Sequence, residues 1–200
     1  MMTAVSGVET AKRMLRKEFS ARRNSLDATL RREYDAAICR RIRGLRCYRD
    51  AEYVAGYIRH GAEIDLSPLF RGKGLLLPRF NERSGAYEMV AVKDLELDLL
   101  PGRYGIPEPS PSLSAADPAL VASRVLFLVP AVACDRQGHR LGRGGGYYDR
   151  LLAGVKLPPV AAIYSCQLSR DTLPGAAYDV PMGFVVTERE VIEANRELEY

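Results

Sequence analysis

The chain has 200 residues with 29 basic and 25 acidic side chains, and its formal net charge is +4. No apolar stretch approaches the roughly 18 residues of a membrane span, which excludes a membrane-spanning protein. A chain of this length seldom divides into two cores, so we expect a single domain over residues 11–200 behind a flexible N-terminal extension, residues 1–10.

Two helices are predicted first along the chain. Residues 11–23 place Met14, Leu15 and Phe19 on one apolar side, as a helix packed on a core does. Residues 26–46 repeat apolar side chains at helical spacing, and Ser25 is the predicted N-cap. Residues 190–200 read as a polar terminal helix.

Short apolar segments rich in β-formers follow, separated by enough chain for crossovers. The predicted strands are residues 53–58, 74–77, 125–129 and 160–164. Residues 88–92, after a turn at 81–85, read as an excursion before a parallel sheet resumes, and residues 103–117 as a long loop. The fold class is therefore α/β: a single-domain, Rossmann-like three-layer α/β/α sandwich with a mainly parallel sheet, in which ligands gather beyond the carboxyl ends of the strands.

Basic residues concentrate near the N-terminus, where residues 12–50 hold thirteen Lys and Arg against five Asp and Glu. Such a block could attract nucleic acid. However, helical spacing leaves its arginines on a solvent face, and the interleaved aromatic residues of a stacking platform are missing. Nucleic acid is therefore not expected as a partner.

The four cysteines are scattered without a C-x-x-C pair, which argues against a zinc site or a disulfide framework. The first residues lack the charged start and apolar core of a signal peptide. We therefore expect a cytoplasmic protein, and a monomer.

The most informative segment is the glycine loop, residues 140–150, where arginines flank a run of glycines that leads to a carboxylate. Glycines let backbone N–H groups approach an anion, arginines add charged hydrogen bonds, and a carboxylate suits Mg²⁺. Tyr147 after Gly146 rules out a Walker A loop, which needs Lys there, and the same Tyr147 breaks a G-x-G-x-x-G fingerprint. Because a buried strand precedes the loop and residues 147–153 read as a helix start, the arrangement predicts a site for a nucleotide phosphate and its magnesium. A glycine cluster alone is more often a simple turn.

The central motif resembles the signature of the 5-formyltetrahydrofolate cyclo-ligases, also called methenyltetrahydrofolate synthetases. It comprises residues 129–135, Gly138 and the glycine loop. Shorter motifs follow in the family's order, and they are Lys12 with Arg16, Tyr57 with Glu63 and Ile64, residues 77–79, residues 105–109, and Asp179 ahead of residues 185–188. The resemblance spans about residues 11–188.

The resemblance implies an ATP-dependent ligase that cyclises 5-formyltetrahydrofolate to 5,10-methenyltetrahydrofolate, with Mg²⁺ as cofactor and ATP as co-substrate. Phosphorylation of the formyl oxygen would activate it for attack by N10, with ADP and phosphate as products. Such a transfer depends on positioning and charge neutralisation rather than on a protein nucleophile. A Ser or His nucleophile is accordingly missing from the motif.

Roles carried over from the family fall on named positions. The implied ATP ligands are Lys12, Arg16, Arg140, Leu141, Gly142, Arg143, Gly144, Gly145, Gly146, Tyr147 and Tyr148. The implied folate contacts are Ile58, Glu63, Arg143, Gly144, Gly145, Gly146 and Tyr147. The implied metal ligands are Asp149 and Asp179, and the implied catalytic residues are Arg143, Tyr147 and Asp149.

Other readings of these residues stay open. Lys12 and Arg16 would otherwise be a solvated basic face, Asp149 could favour a helix N-terminus, and Asp179 could cap a turn. Tyr178 stands where the family commonly has His, which weakens the support for Asp179. The rival functions are an RNA-binding or regulatory module and an ATP-dependent kinase or ligase with another small substrate, because a fold does not fix the acceptor.

Overall fold

The fold is seen in a computed structural model that describes residues 2–176 and 179–194. The helices are α1 (Met2–Asn24), α2 (Ala28–Gly44), α3 (Arg46–Asp50), α4 (Pro118–Arg124) and α5 (Tyr147–Leu152). The strands are β1 (Tyr53–Ala55), β2 (Gly74–Asn81), β3 (Ala86–Val92), β4 (Leu99–Pro101), β5 (Pro107–Pro109), β6 (Val125–Pro130), β7 (Ala133–Cys134), β8 (Arg140–Leu141), β9 (Val160–Ala162), β10 (Phe184–Val186) and β11 (Val191–Glu193).

Seven strands form the central sheet in the order β11-β10-β9-β6-β1-β2-β3. The five inner strands run parallel, while β3 pairs antiparallel with β2 at one edge and β11 antiparallel with β10 at the other. All six residues of β6 are apolar or proline, and the first five are buried, because helices cover both faces of a parallel sheet. The predicted mainly parallel sheet is thus confirmed.

Helices cover the two faces of the sheet and make the predicted three layers. On one face, α2 and α3 bury Ile38, Ile42 and Tyr48 against alternate residues of the central strands. On the other face, Leu152 of α5 joins a core in which α4 also packs. Helix α1 packs on the turn Ser165–Gln167, and its Phe19 belongs to a smaller cluster with residues of the β7–β8 hairpin.

The helix boundaries differ from the predicted ones. Helix α1 begins at Met2, so residues 2–10, predicted as a flexible extension, form its first turns. Asp27 rather than Ser25 is the N-cap of α2, because its carboxylate accepts hydrogen bonds from the backbone N–H groups of Thr29 and Leu30. Ser25 instead donates from its hydroxyl to the carbonyl of Arg22 at the end of α1.

The strand boundaries differ as well. Strand β2 continues to Asn81 because it forms a hairpin with β3; beyond Leu76 it no longer pairs with β1, and a strand with one neighbour tolerates Pro78. Strand β1 ends at Ala55 and β9 at Ala162, earlier than predicted. Residues 191–193 were wrongly predicted as helix: they form β11, with Ile192 buried between two exposed neighbours. Residues 195–200 lie outside the described residues.

The predicted loop at residues 103–117 is more ordered than expected. It contains β5, which pairs antiparallel with β4, and the N–H of Ala116 donates to the carbonyl of Met89 on β3 at 2.7 Å. Arg79 of β2 donates to the carbonyls of Ser110 and Leu113 and so pins the loop to the sheet.

A buried polar pair joins α2 to the sheet. The hydroxyl of Tyr164 donates to Oδ1 of Asp35 at 2.7 Å, and both residues are buried. Burial raises the pKa of Asp35, although the hydrogen bond from Tyr164 opposes the shift. Among the described residues, no helix is long and apolar enough to cross a membrane.

Candidate active site

A cavity of about 520 Å³ opens at the carboxyl ends of the parallel strands. Tyr57 and Ile58 enter it after β1, Pro130 and Ala131 at the end of β6, and Leu77 from β2. Helix α1 and the loop after β4 complete its walls. The position is the one expected for ligands of an open α/β sheet.

The glycine loop forms one end of the cavity. Gly144 has φ +102°, a conformation that other residues rarely adopt, and a Cβ on Gly145 would lie 2.4 Å from the ring of Tyr147. In the described part of the chain, the backbone N–H groups of Arg143, Gly144, Gly145 and Gly146 have no hydrogen-bond acceptor. Exposed backbone donors that face a cavity favour an anionic ligand.

Cationic side chains at this end are each paired with a carboxylate. Lys12 Nζ lies 2.9 Å from Asp179 Oδ2, Arg16 Nη1 lies 2.7 Å from Glu9 Oε1, Arg140 Nη2 lies 2.9 Å from Asp149 Oδ1, and Arg143 Nη2 lies 2.7 Å from Glu63 Oε1. Helical spacing brings Lys12 and Arg16 to one side of α1, so neither is a merely solvated basic residue. Charge is thus balanced within the cavity itself.

Arg140 is the most buried of these cations, with 5% of its side chain exposed. Its Nε is buried and, among the described residues, has no hydrogen-bond partner. The strand β8 holds the residue in place, and its hairpin with β7 closes through a turn in which Asp135 accepts from the backbone N–H groups of Gln137 and His139. An orphaned buried donor of this kind is costly unless a ligand satisfies it.

Each of the two predicted metal ligands has one carboxylate oxygen that forms no hydrogen bond within the described residues. Asp149 uses Oδ1 for Arg140, whereas Asp179 uses Oδ2 for both Lys12 and the N–H of Ala176. Within the described residues the remaining oxygens, Asp149 Oδ2 and Asp179 Oδ1, have no partner, and no group of three or more His, Cys, Asp or Glu could hold a metal. Two carboxylates completed by phosphate and water suit Mg²⁺.

Asp179 has one of the roles left open by its sequence, the capping of a turn, and its metal role stays a prediction. Its carboxylate closes a turn by accepting from the N–H of Ala176, and it also faces the cavity. Burial raises its pKa, but the hydrogen bonds from Lys12 and Ala176 outweigh burial, and its pKa is lower than usual. Tyr178, whose identity weakened the metal assignment, lies outside the described residues.

Aromatic and apolar residues line the cavity next to the glycine loop. The ring of Tyr147 packs edge-on against Tyr87, with centroids 4.7 Å apart, and Tyr87 packs in the same way against Phe80 at 5.3 Å. Glu63 also lines the cavity: its Oε2 accepts from the N–H of His60 while Oε1 accepts from Arg143. Burial raises the pKa of Tyr148 well above its usual value, so it stays a neutral phenol.

Every predicted site residue lines this one cavity, from Lys12 on α1 to Asp179 near the C-terminus. The structure brings them together, whereas their individual roles stay predictions. Sequence reasoning missed Glu9 and Arg103. Glu9 lies seven residues before Arg16, a helical spacing that could have revealed it, whereas Arg103 lies in a loop with no periodic pattern.

Comparison with known proteins gives a consistent result. The sequence model of the 5-formyltetrahydrofolate cyclo-ligase family matches residues 8–188. The chain is 32% identical to the 5-formyltetrahydrofolate cyclo-ligase of Escherichia coli strain K12 over 151 residues, which is 72% of this chain and 81% of that protein. It is 29% identical to the Haemophilus influenzae enzyme of the same name over 184 residues, or 88% and 97% of the two chains.

Two solved structures share the fold. The NMR structure of Aquifex aeolicus 5,10-methenyltetrahydrofolate synthetase has a TM-score of 0.79 at 34% identity and covers 94% of this chain and 96% of its own. The 5,10-methenyltetrahydrofolate synthetase of Mycoplasma pneumoniae has a TM-score of 0.68 at 19% identity, with 88% and 98% covered, which supports the fold alone.

Proposed function

The chain belongs to the 5-formyltetrahydrofolate cyclo-ligase family, and we propose that it cyclises 5-formyltetrahydrofolate to 5,10-methenyltetrahydrofolate at the expense of ATP. One observation carries the proposal. A single cavity combines unpaired backbone donors and cations, the first region, with an adjoining wall that contains the rings of Tyr87 and Tyr147, the second region. A triphosphate suits the first region, and a pterin with its benzoyl ring suits the second.

Two steps account for the chemistry. The formyl oxygen attacks the γ-phosphorus of ATP, the bond from that phosphorus to the bridging oxygen breaks, and ADP leaves. N10 of the folate then attacks the formyl carbon of the resulting iminium phosphate and loses its proton to the medium. Breakage of the carbon–oxygen bond releases phosphate and leaves the methenyl bridge between N5 and N10.

The residues of the glycine loop bind and orient the phosphates in this scheme. The N–H groups of residues 143–146 donate to phosphate oxygens, and Lys12, Arg16 and Arg140 exchange their carboxylate partners for phosphate. Arg140 Nε gains the acceptor that it otherwise lacks. Transfer of a phosphoryl group needs little more from the protein than such positioning and charge neutralisation.

Asp149 and Asp179 would hold Mg²⁺ through the oxygens that their ion pairs leave unused. When bound, the ion supplies neutralisation of the negative charge on the nucleotide phosphates. Incoming phosphates would separate Asp149 from Arg140 and Asp179 from Lys12. The bound Mg²⁺ would then replace these two side chains as the cationic partner of each carboxylate.

Glu63 and Arg143 form an ion pair in the wall of the cavity. Glu63 offers two acceptor oxygens to the N–H and amino groups of the pterin, which is a bidentate match. Arg143, released from Glu63, reaches the phosphate in transfer, and Ile58 and Tyr147 flank the pterin. A cytoplasmic location and a monomeric state stay predictions.

The decisive experiment mixes the purified protein with 5-formyltetrahydrofolate and Mg-ATP and follows the near-ultraviolet absorbance of the methenyl product. We expect one ADP and one phosphate for each methenyl group formed, and no product with a non-hydrolysable ATP analogue. Hydrolysis of ATP without methenyl product would refute the proposed substrate and favour a kinase or ligase with another acceptor. Tight binding of one RNA sequence at physiological salt, without turnover, would favour the RNA-binding alternative.

A further inference from the structure

Arg103 lines the cavity and stacks on the ring of Phe80, and its ion-pair partner, Glu82, is not one of the carboxylates that hold the cations near the glycine loop. We infer that Arg103 binds the carboxylates of the glutamate tail of the folate substrate and thereby determines selectivity for it. The inference rests on the proposed function and extends it, because it assigns a part of the substrate that takes no part in the chemistry.

The guanidinium of Arg103 is held in a fixed place. Its central carbon lies 3.7 Å from the centroid of the Phe80 ring, close enough for stacking and a cation–π contact. Glu108 ties the two residues together, since one of its oxygens accepts from the N–H of Phe80 at 3.0 Å and the other from the N–H of Arg103 at 3.3 Å. The turn that carries Arg103 is closed by a 3.0 Å bond from the N–H of Gly102 to the carbonyl of Ile106. A guanidinium ordered in advance loses less entropy on binding.

A row of rings leads from the glycine loop to Arg103. Tyr147 begins the loop's helix, Tyr87 packs edge-on against it, and Phe80 packs edge-on against Tyr87 beneath Arg103. In the substrate, the reacting pterin is followed by the benzoyl ring and then by glutamate. A substrate whose N5 and N10 lie at the loop and whose benzoyl ring follows the row therefore brings its carboxylates to Arg103.

The partner of Arg103 in the structure is easily exchanged. Glu82 accepts from Nη2 of Arg103 at 2.8 Å, but 76% of the Glu82 side chain and 41% of the Arg103 side chain are exposed. Exposed ion pairs contribute little to stability. A substrate carboxylate can therefore replace Glu82 at low cost and bind the same planar donors in a bidentate manner.

The test compares two substrates with two variants. The substrates are 5-formyltetrahydrofolate and 5-formyltetrahydropteroate, which is identical up to the benzoyl group but lacks glutamate. For the parent protein we expect a lower KM for the glutamate-bearing substrate. Arg103→Gln should raise that KM about three- to five-fold, the upper part of the range for a partly exposed ion pair, and leave the KM for the pteroate within about two-fold. The kcat and the KM for ATP should stay unchanged.

Arg83→Gln is the matched control, since Arg83 is a neighbouring exposed arginine that does not line the cavity. It should change neither KM. If Arg103→Gln raised both KM values equally, Arg103 would act by shaping the cavity wall, and equal KM values of the parent for the two substrates would also overturn the inference. Failure of the proposed function gives a different result: the parent forms no methenyl product from either substrate. In that case, calorimetric titration with the same two compounds still tests Arg103, and equal affinities of parent and variant would refute its role.

Discussion

Glu9 competes with the nucleotide for Arg16, so that Glu9→Gln is expected to tighten ATP binding. Glu9 holds Nη1 of Arg16 at 2.7 Å, while Nε of Arg16 is fixed by the carbonyl of Gly142 at 3.0 Å. Hydrogen bonding and charge from Arg16 lower the pKa of Glu9, so Glu9 is ionised at neutral pH. The substitution removes this negative charge from the part of the cavity near the glycine loop and leaves Arg16 oriented by the carbonyl of Gly142.

The expected gain is modest because Glu9 is exposed. About two-thirds of its side chain reaches solvent, at 65%, whereas Arg16 is 20% exposed. Pairs of this kind are screened and weak, so freeing Arg16 should lower the Kd for ATP about two- to five-fold. The gain should shrink as salt is added, because screening weakens both the ion pair and the repulsion between Glu9 and phosphate.

Calorimetric titration with a non-hydrolysable ATP analogue at low and high salt measures the effect. Glu18→Gln is the matched control, since Glu18 forms an exposed pair with Arg22 on the same helix but does not line the cavity. The double variant Glu9→Gln with Arg16→Gln should gain less over Arg16→Gln alone than Glu9→Gln gains over the parent, because only the direct repulsion between Glu9 and phosphate is then relieved. Weaker binding by Glu9→Gln would refute the reasoning and make Glu9 a residue that orients Arg16. An equal decrease of the Kd in Glu18→Gln would show that the effect comes from the overall charge of the protein and not from Arg16.

Three further predictions follow from the contacts described. Glu63→Gln should weaken folate binding about ten- to a hundred-fold while ATP binding stays nearly intact, because an amide offers the pterin one acceptor and an unwanted donor; equal folate affinities by calorimetric titration would contradict this. Asp149→Asn should keep its melting temperature but lose most turnover, since an amide is a weaker Mg²⁺ ligand without the charge; unchanged kinetics at saturating Mg-ATP, or turnover that persists in EDTA, would exclude a metal role. Burial raises the pKa of Asp35, so its favourable contribution to stability is present at acidic pH and lost as the pH rises through that raised pKa. Asp35→Asn should therefore gain in melting temperature relative to the parent between acidic and neutral pH, whereas Asp35→Ala leaves the Tyr164 hydroxyl unsatisfied and should cost about 1–3 kcal/mol at either pH; parallel melting curves of parent and Asp35→Asn across that range would refute the role of ionisation.

Local patterns predicted the centre of the fold well. The continuous apolar run of β6 identified a strand covered on both faces, and it lies in the middle of the sheet. Element ends were less predictable because partners decide them. Strand β2 is longer than its apolar segment because β3 pairs with it, and β11 exists because β10 offers an edge. Neither pairing is visible in the local sequence.

The candidate site was predicted through motifs rather than through periodicity. The glycine loop and Asp149 are adjacent in sequence, so their joint chemistry could be inferred directly. Lys12 and Asp179 are separated by most of the chain, so from the sequence only the resemblance to the family placed them in one site. The structure shows them in contact at 2.9 Å. Arg103 was not predicted as a site residue because its position depends on contacts with Phe80 and Glu108, which only the tertiary structure creates.

The packing of α1 would make the proposed nucleotide a structural ligand as well as a substrate. Lys12 and Arg16 belong to α1, which packs on a small apolar cluster and on the turn Ser165–Gln167 rather than within the two main cores. A triphosphate bound by both α1 and the glycine loop would bridge the two elements. By thermodynamic linkage, each tenfold excess of nucleotide over its Kd would then add about 1.4 kcal/mol to the docking of α1, and amide exchange in that helix would slow with nucleotide concentration while the buried strand β6 stays unaffected. Amide exchange in α1 would thus report the fraction of protein with bound nucleotide, without any turnover.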